Sequence, residues 1–262
     1  MPPPALTTVR ARTLFAPLDE GGRAETVARR LAKAIRLGLL LDGERLPAES
    51  HLAGQFGVST VTLREALASL RQMGLVETRR GRRGGSFVRA PQEPQSARLV
   101  RPLYLLSLHE LRDMGDHRAA VAGAAAKLAA ERALPPDVAA LREYAGRLRG
   151  AATLTERRRA DARIHIEIAA AAQSPRLTRA EMDLWSEVGD LVWLPVPDDA
   201  VAAITGEHEA LIDAIENREG ARAEAVMREH SRLAARNLRL ALRNRAHLDL
   251  LPALALLKSP AD

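Results

Sequence analysis

Apolar positions along the chain recur first at helical spacing in short stretches, then briefly at strand spacing, then at helical spacing to near the end. Over residues 25–40, Val27, Leu31 and Ile35 share one helical face. Leu52, Ala53 and Phe56 do the same over residues 48–56. Gly57 is placed to end that helix, because glycine tolerates the left-handed backbone that follows a helix C-terminus. Ser59 then stands where a side-chain oxygen caps the next helix, in which Leu63, Ala66, Leu67, Leu70 and Met73 form one continuous stripe. Short strands are expected at 75–78 and 86–89, with Arg79, Arg80, Gly81, Arg82, Arg83, Gly84 and Gly85 around the turn between them. Helix, tight turn, helix, strand, basic glycine turn, strand is the order of a winged helix-turn-helix.

Beyond about Ser107 the pattern is helical throughout. Helices are expected over 107–133, 137–149, 155–173, 175–194, 198–217 and 219–244, and the breaks between them are short and marked by Pro, Gly or Ser. Such breaks favour antiparallel neighbours in a bundle, and the lack of strand-like alternation argues against a sheet. Residues 90–97, with Pro91 and Pro94, read as a linker. The expected fold class is mainly α. It comprises a flexible arm (1–20), a winged helix-turn-helix with a small β-hairpin wing (21–90), a linker (91–100), an all-α antiparallel helical bundle (101–245) and an unassigned tail (246–262).

Charge separates these parts. Residues 1–90 hold 15 Lys and Arg against 8 Asp and Glu, whereas residues 91–262 hold 24 against 25. The basic surplus therefore belongs wholly to the first part, as expected of a nucleic-acid reader carrying a neutral second domain. The absence of cysteine rules out disulfides and thiolate metal sites. No apolar run reaches the length of a membrane span and the N-terminus lacks a signal-peptide pattern, so a cytoplasmic protein is expected.

Around the second short helix, Ser59, Thr60, Thr62 and Arg64 offer hydroxyls and a guanidinium where a recognition helix meets base edges and phosphates. Taken alone, they equally describe the solvated face of an ordinary helical hairpin. The wing tips the balance: Arg79, Arg80, Arg82 and Arg83, with Gly84, crowd positive charge that a DNA backbone or minor groove would neutralise.

This stretch resembles the DNA-binding domain of GntR-type transcriptional regulators. The resemblance is carried by Leu46-Pro47-Ala48-Glu49, Leu52-Ala53, Gly57-Val58-Ser59, Thr62-Leu63-Arg64-Glu65-Ala66-Leu67, Leu70, Gly74-Leu75 and the glycine-rich wing ending in Phe87-Val88. It implies a double-stranded DNA operator, palindromic and bound by a homodimer. The family commonly places arginines where this chain has Ser50 and Thr60, which shifts weight onto Thr62, Arg64 and the wing.

A second constellation lies in the helical part. Asp161 and His165 are one helical turn apart, and His208 and His230 sit on later helices flanked by Leu211, Ile212, Val226 and Met227. One carboxylate and three imidazoles suit a borderline divalent metal such as zinc, nickel, manganese or iron; the plainer alternative is a surface pair and two unrelated histidines. Residues 111–240 resemble the FCD sensor domain of the FadR-like branch of the same family. The resemblance implies a metal held by Asp161, His165, His208 and His230, zinc or nickel foremost, with positions left for a small carboxylate metabolite. Arg118 is the candidate to pair with that effector, or else a solvated arginine. Trp185 and Trp193 are expected to pack the core, and His51, His109, His117 and His247 fit no constellation.

The expected function is a ligand-responsive transcription regulator, a repressor by the commoner sign. Two alternatives remain open at this point. The cavity could hold an acyl or aromatic effector without metal. A metal-activated water could instead serve a hydrolase, with Glu207 as the nearest general base; but Glu207 adjoins a ligand on a different helical face, and the chain carries no G-x-S-x-G, H-E-x-x-H or P-loop. The chain is therefore not expected to be an enzyme.

Overall fold

The structure is a computed structural model that describes residues 14–15, 24–81, 84–90, 107–193, 196 and 200–243. The chain divides into two compact units, Met1–Gln92 and Glu93–Asp262. The expected arm, linker and tail, at 1–20, 91–100 and 246–262, fall almost entirely outside the described residues.

In the first unit, α1 (Ala24–Arg36) buries Val27, Leu31 and Ile35 as the pattern requires. It stops four residues short of the expected end. Gly38 adopts φ 70°, and the Leu39 N–H returns to the Ala34 carbonyl at 2.9 Å. Leu37, Leu39 and Leu40 are buried in the turn that follows, which is why the apolar pattern outlasts the helix. α2 (Glu49–Phe56) ends at Gly57, whose φ of 67° is the left-handed cap expected there. α3 (Thr60–Gln72) is capped by Ser59, whose Oγ accepts from the Thr62 N–H at 3.0 Å. Leu63, Ala66, Leu67 and Leu70 are buried, α1 and α2 both packing on this helix. Met73, expected to extend the stripe, is instead largely exposed, because the helix ends at Gln72 and Gly74 turns the chain at φ 70°.

β1 (Val76–Arg79) pairs antiparallel with β2 (Gly85–Val88), with Val76 opposite Val88 and Arg79 opposite Gly85. The other edge of β2 takes the segment that precedes α2. Val88 N–H bonds to the Glu44 carbonyl at 2.8 Å and Leu46 N–H to the Ser86 carbonyl at 2.9 Å. Asp42-Gly43 reads in sequence as a simple turn, so this third edge is an addition. Between the strands a Cβ at Gly84 would stand 2.5 Å from the Arg79 carbonyl oxygen, so the wing turn requires glycine there.

The second unit is helical throughout its described residues: α4 (Leu108–Arg132), α5 (Pro135–Arg149), α6 (Leu154–Ala171), α7 (Pro175–Val192), α8 (Val201–Glu216) and α9 (Gly220–Arg243). Ser107 and Glu110 form a capping box that starts α4, and Thr153 with Glu156 form another that starts α6. α5 begins two residues before its expected start because proline at the first helical positions has no N–H to leave unpaired. α4 and α9 lie in close contact, since a Cβ on Gly115 would fall 2.7 Å from the Ala235 Cβ. α6 runs through the middle. Every residue from Ala160 to Ala171 is buried, against α4, α5 and α7.

The Ser59 cap supports the geometry of α3. Ser59→Ala should destabilise the first unit by about 1 kcal/mol and speed amide exchange at Thr62, read by denaturation and hydrogen exchange. No change in either would mean that water satisfies this helix end equally well.

Candidate metal centre and nucleic-acid interface

A helix buried on all sides is ordinarily apolar, yet the buried run of α6 contains Asp161, Arg163, His165 and Glu167. The two i, i+4 pairs face opposite ways. Arg163 and Glu167 form an ion pair at 3.5 Å, with the guanidinium 5.0 Å over the Tyr144 ring. Asp161 and His165 point to the other side, where His208 of α8 and His230 of α9 meet them.

One ligand atom from each of these four residues lies within 4.8 Å of the other three. His165 Nε2 stands 3.3 Å from His230 Nε2, and His208 Nε2 stands 3.0 Å from Asp161 Oδ1. All four residues are buried. Their outer atoms are each met by another group. The Trp193 Nε1–H donates to Asp161 Oδ2 at 2.7 Å, His208 Nδ1 meets the Ile204 carbonyl at 2.9 Å, and His230 Nδ1 meets Glu207 Oε2 at 2.7 Å. His165 Nδ1 faces Glu181 Oε1 at 3.4 Å.

The Ile204 carbonyl and the Glu207 carboxylate are acceptors, so the ring protons of His208 and His230 belong on Nδ1 and their Nε2 lone pairs turn inward beside Asp161 Oδ1; His165 Nε2 joins them, while its Nδ1 has no hydrogen-bond partner. Asp161 Oδ1 and His208 Nε2 have no hydrogen-bond partner despite their burial. Four electron-rich atoms facing one another away from water repel unless a cation sits among them. The donor set fits a divalent transition metal: carboxylate and imidazole, with no thiolate.

The charge states agree. Burial holds His165 well below the ordinary imidazole value, the Arg118 guanidinium adding to the effect, and burial likewise lowers His230 against the pull of Glu207. Burial works against the Asp161 carboxylate, but His208 and the other two imidazoles outweigh it and keep the group well below the usual carboxylate range. A neutral His165 and His230 and a charged Asp161 are the states a metal requires of those residues.

Beside the cluster, Arg118 of α4 is buried, its guanidinium 4.2 Å over the Trp185 ring, and none of its three nitrogens has a hydrogen-bond partner. It is not solvated. Burial lowers its pKa, against the fields of Glu181 and Asp161. Trp185 also touches the His165 ring at 4.9 Å and donates to Glu181 Oε1 at 3.2 Å. Its ring lies against the α7 backbone, where a Cβ on Gly189 would stand 2.4 Å from it. Burial raises Glu181 to about 7.

The sequence pattern places both tryptophans in the core. They are buried, but each also holds a member of the cluster or its neighbour. The pattern does not single out Glu181, although an acid at the spacing of Thr178, Met182 and Trp185 on a buried stripe was the available signal. Glu207 does lie on a different face from His208, and that face turns it onto His230.

In the first unit, Thr60, Val61 and Arg64 are exposed on the first turn of α3, and Thr62 Oγ1 bonds Ser59 Oγ at 2.9 Å. Arg64 Nε donates to Glu49 Oε2 of α2 at 2.8 Å, which steadies the side chain and leaves its terminal nitrogens with donors to offer. Arg79 of the wing already has partners within the first unit. It pairs with Glu77 at 2.6 Å and lies 4.3 Å over Phe87, and Arg89 shares the same carboxylate at 2.8 Å. Arg80 is exposed. Arg82 and Arg83 lie outside the described residues. His51, His109 and His117 are exposed and join no cluster, and His247 is outside the described residues.

Comparison with known proteins agrees with both halves. Residues 23–88 match the family of bacterial regulatory proteins named gntR, and residues 113–233 match the FCD domain. The chain belongs to the GntR family. It is a transcription regulator with a DNA-binding helix-turn-helix and an FCD effector domain. It is 44% identical over 227 residues to the putative HTH-type transcriptional regulator RmpR of Mycobacterium gastri, covering 84% of this chain and 81% of that one. It is 33% identical to the putative L-lactate dehydrogenase operon regulatory protein of Escherichia coli K12, over 73% of this chain and 77% of that one. The fold matches that of E. coli McbR/YncC with a TM-score of 0.51 at 19% identity, covering 84% and 98% of the two chains. These families and relatives are transcription regulators, which bears out the expectation that the chain is not an enzyme. No helix among the described residues is long and apolar enough to cross a membrane.

The Trp193 bond to Asp161 can be tested without metal. Trp193→Phe removes the donor and part of the buried indole, leaving Oδ2 without its partner beside a small cavity, and should cost about 2 kcal/mol or more of stability in chemical denaturation. An unchanged midpoint would show that the oxygen finds water instead.

Proposed function

We propose that this GntR-family regulator is a cytoplasmic homodimer that represses transcription from a palindromic operator and is released by a small carboxylate effector bound at a metal in the FCD domain. The metal, zinc or nickel, would be held by Asp161, His165, His208 and His230, and would supply a Lewis-acid position for the effector's oxygen atoms. Arg118 would take the same anion through its planar fork. The observation that carries this reading is Arg118 itself: a buried guanidinium without a hydrogen-bond partner, stacked on the tryptophan that also touches His165. A buried cation left in that condition is costly, and an anion beside it removes the cost.

On DNA, Thr62 and Arg64 of α3 would read the major groove, with Ser59 and Thr60 at the backbone. Arg79, Arg80, Arg82 and Arg83, shaped by the Gly84 turn, would meet phosphate or minor groove. One recognition helix covers only a few base pairs, so a dimer reading two half-sites supplies the specificity that one copy lacks. A dimer across an operator would repress by excluding other proteins from it. The E. coli relative named for an L-lactate dehydrogenase operon supports a small carboxylate as the effector class.

The effector reading is tested by calorimetric titration of metal-loaded protein with a panel of two- to six-carbon carboxylates, followed by operator binding at fixed salt. One panel member should bind and weaken operator affinity at least 10-fold, and Arg118→Met should bind that compound at least 10-fold more weakly while keeping its metal. A panel in which nothing binds, or an Arg118→Met variant equal to the parent, would contradict it.

Metal retention should also depend on pH in a set direction. His165 and His230 are lowered from 6.5, so they remain neutral below that value and protons compete for them only at lower pH. Dialysis against a pH series should show metal retained at pH 6.5 and lost on further acidification. Loss beginning well above 6.5 would be the wrong order.

A further inference from the structure

Val61 is 63% exposed, more than any other large apolar side chain among the described residues. At 100° per residue it lies opposite the centre of the buried stripe formed by Leu63, Ala66, Leu67 and Leu70, so it stands at the middle of the outward face of α3. Its neighbours Thr60, Arg64 and Glu65 are exposed and polar. No apolar patch surrounds it that a protein partner could cover. The first turn that carries it is fixed by the Ser59 cap onto Thr62 and by the Ser59–Thr62 hydroxyl pair. A β-branched side chain on a fixed turn has its χ1 largely settled in advance, so its methyl groups are presented without further ordering.

This inference rests on α3 being the helix that reads the operator. In the major groove the base edges present donors and acceptors, the small C5–H of cytosine and one apolar group of substantial size, the C5-methyl of thymine. An apolar side chain at the centre of the reading face finds its largest apolar complement in that methyl. We propose that Val61 is a specificity-determining residue that packs on a thymine methyl in each operator half-site. Arg64 is three residues on, with Cβ atoms about 5–6 Å apart at that spacing. The thymine therefore lies within one or two base pairs of the position Arg64 contacts, at about 3.4 Å per step. The sequence pattern alone does not single out Val61, because only the hydroxyls and the guanidinium on that turn carry hydrogen-bonding chemistry.

The test begins with selection of a preferred site by the full-length parent protein from random duplex DNA. Each thymine of the selected half-site is then replaced by uracil, which removes the methyl and leaves base pairing intact. The parent should lose about 4-fold in affinity at one thymine per half-site, the worth of one buried methyl group. Val61→Ala, which removes only exposed methyl groups, should bind the thymine and uracil duplexes with equal affinity while still discriminating the position read by Arg64. A parent indifferent to uracil at every position, or a Val61→Ala variant with the same uracil penalty as the parent, overturns the assignment while leaving α3 as the reader. A parent that selects no sequence at all overturns both.

Discussion

The second unit is built around a helical run, Ala160 to Ala171 of α6, that has no face to water yet carries four ionisable side chains. Each of them must be compensated inside the protein, because a buried charge without partners costs far more than one helix contributes. The two pairs on α6 solve this differently. Arg163 and Glu167 answer one another under Tyr144. Asp161 and His165 draw in His208, His230, Trp193 and Glu181 from three other helices. α7, α8 and α9 thus meet α6 through the same atoms that form the candidate metal centre.

That arrangement makes the protein-only state incomplete in a specific way. The outer nitrogens of His208 and His230 and the outer oxygen of Asp161 each have a hydrogen-bond partner, while the inner atoms face one another. The second incomplete group is Arg118, and it shares Trp185 with the cluster. A cation and an anion in adjoining places would complete both. Metal and carboxylate together therefore explain more than either alone, and a metal-free acyl or aromatic effector leaves the inner lone pairs unexplained.

Much of this was legible in the chain. The i, i+4 spacing of Asp161 and His165, the apolar flanks of His208 and His230, and the cap-and-stripe pattern around Ser59 are local features, and local periodicity reports them directly. What escaped depends on tertiary approach. Nothing near Trp193 in sequence points to Asp161, 32 residues away, and the pairing of the 43–46 segment with β2 leaves no periodic mark. Helix ends moved where glycine conformation decided them, as at Gly38 and Gly74. The wing arginines look alike in sequence, but Glu77 opposite Phe87 takes up two of the neighbouring cations, Arg79 and Arg89.

The central claim is that the four inward atoms are ligands of one metal ion. X-ray absorption spectroscopy on the full-length protein loaded with zinc or nickel tests it most directly, with elemental analysis giving the stoichiometry. The expected result is one ion per chain, ligands of nitrogen and oxygen only, and multiple-scattering features of three imidazoles, falling to two in His208→Ala. A protein that takes up no ion, or one whose bound ion has fewer than two imidazoles and is unaffected by His208→Ala, would contradict it.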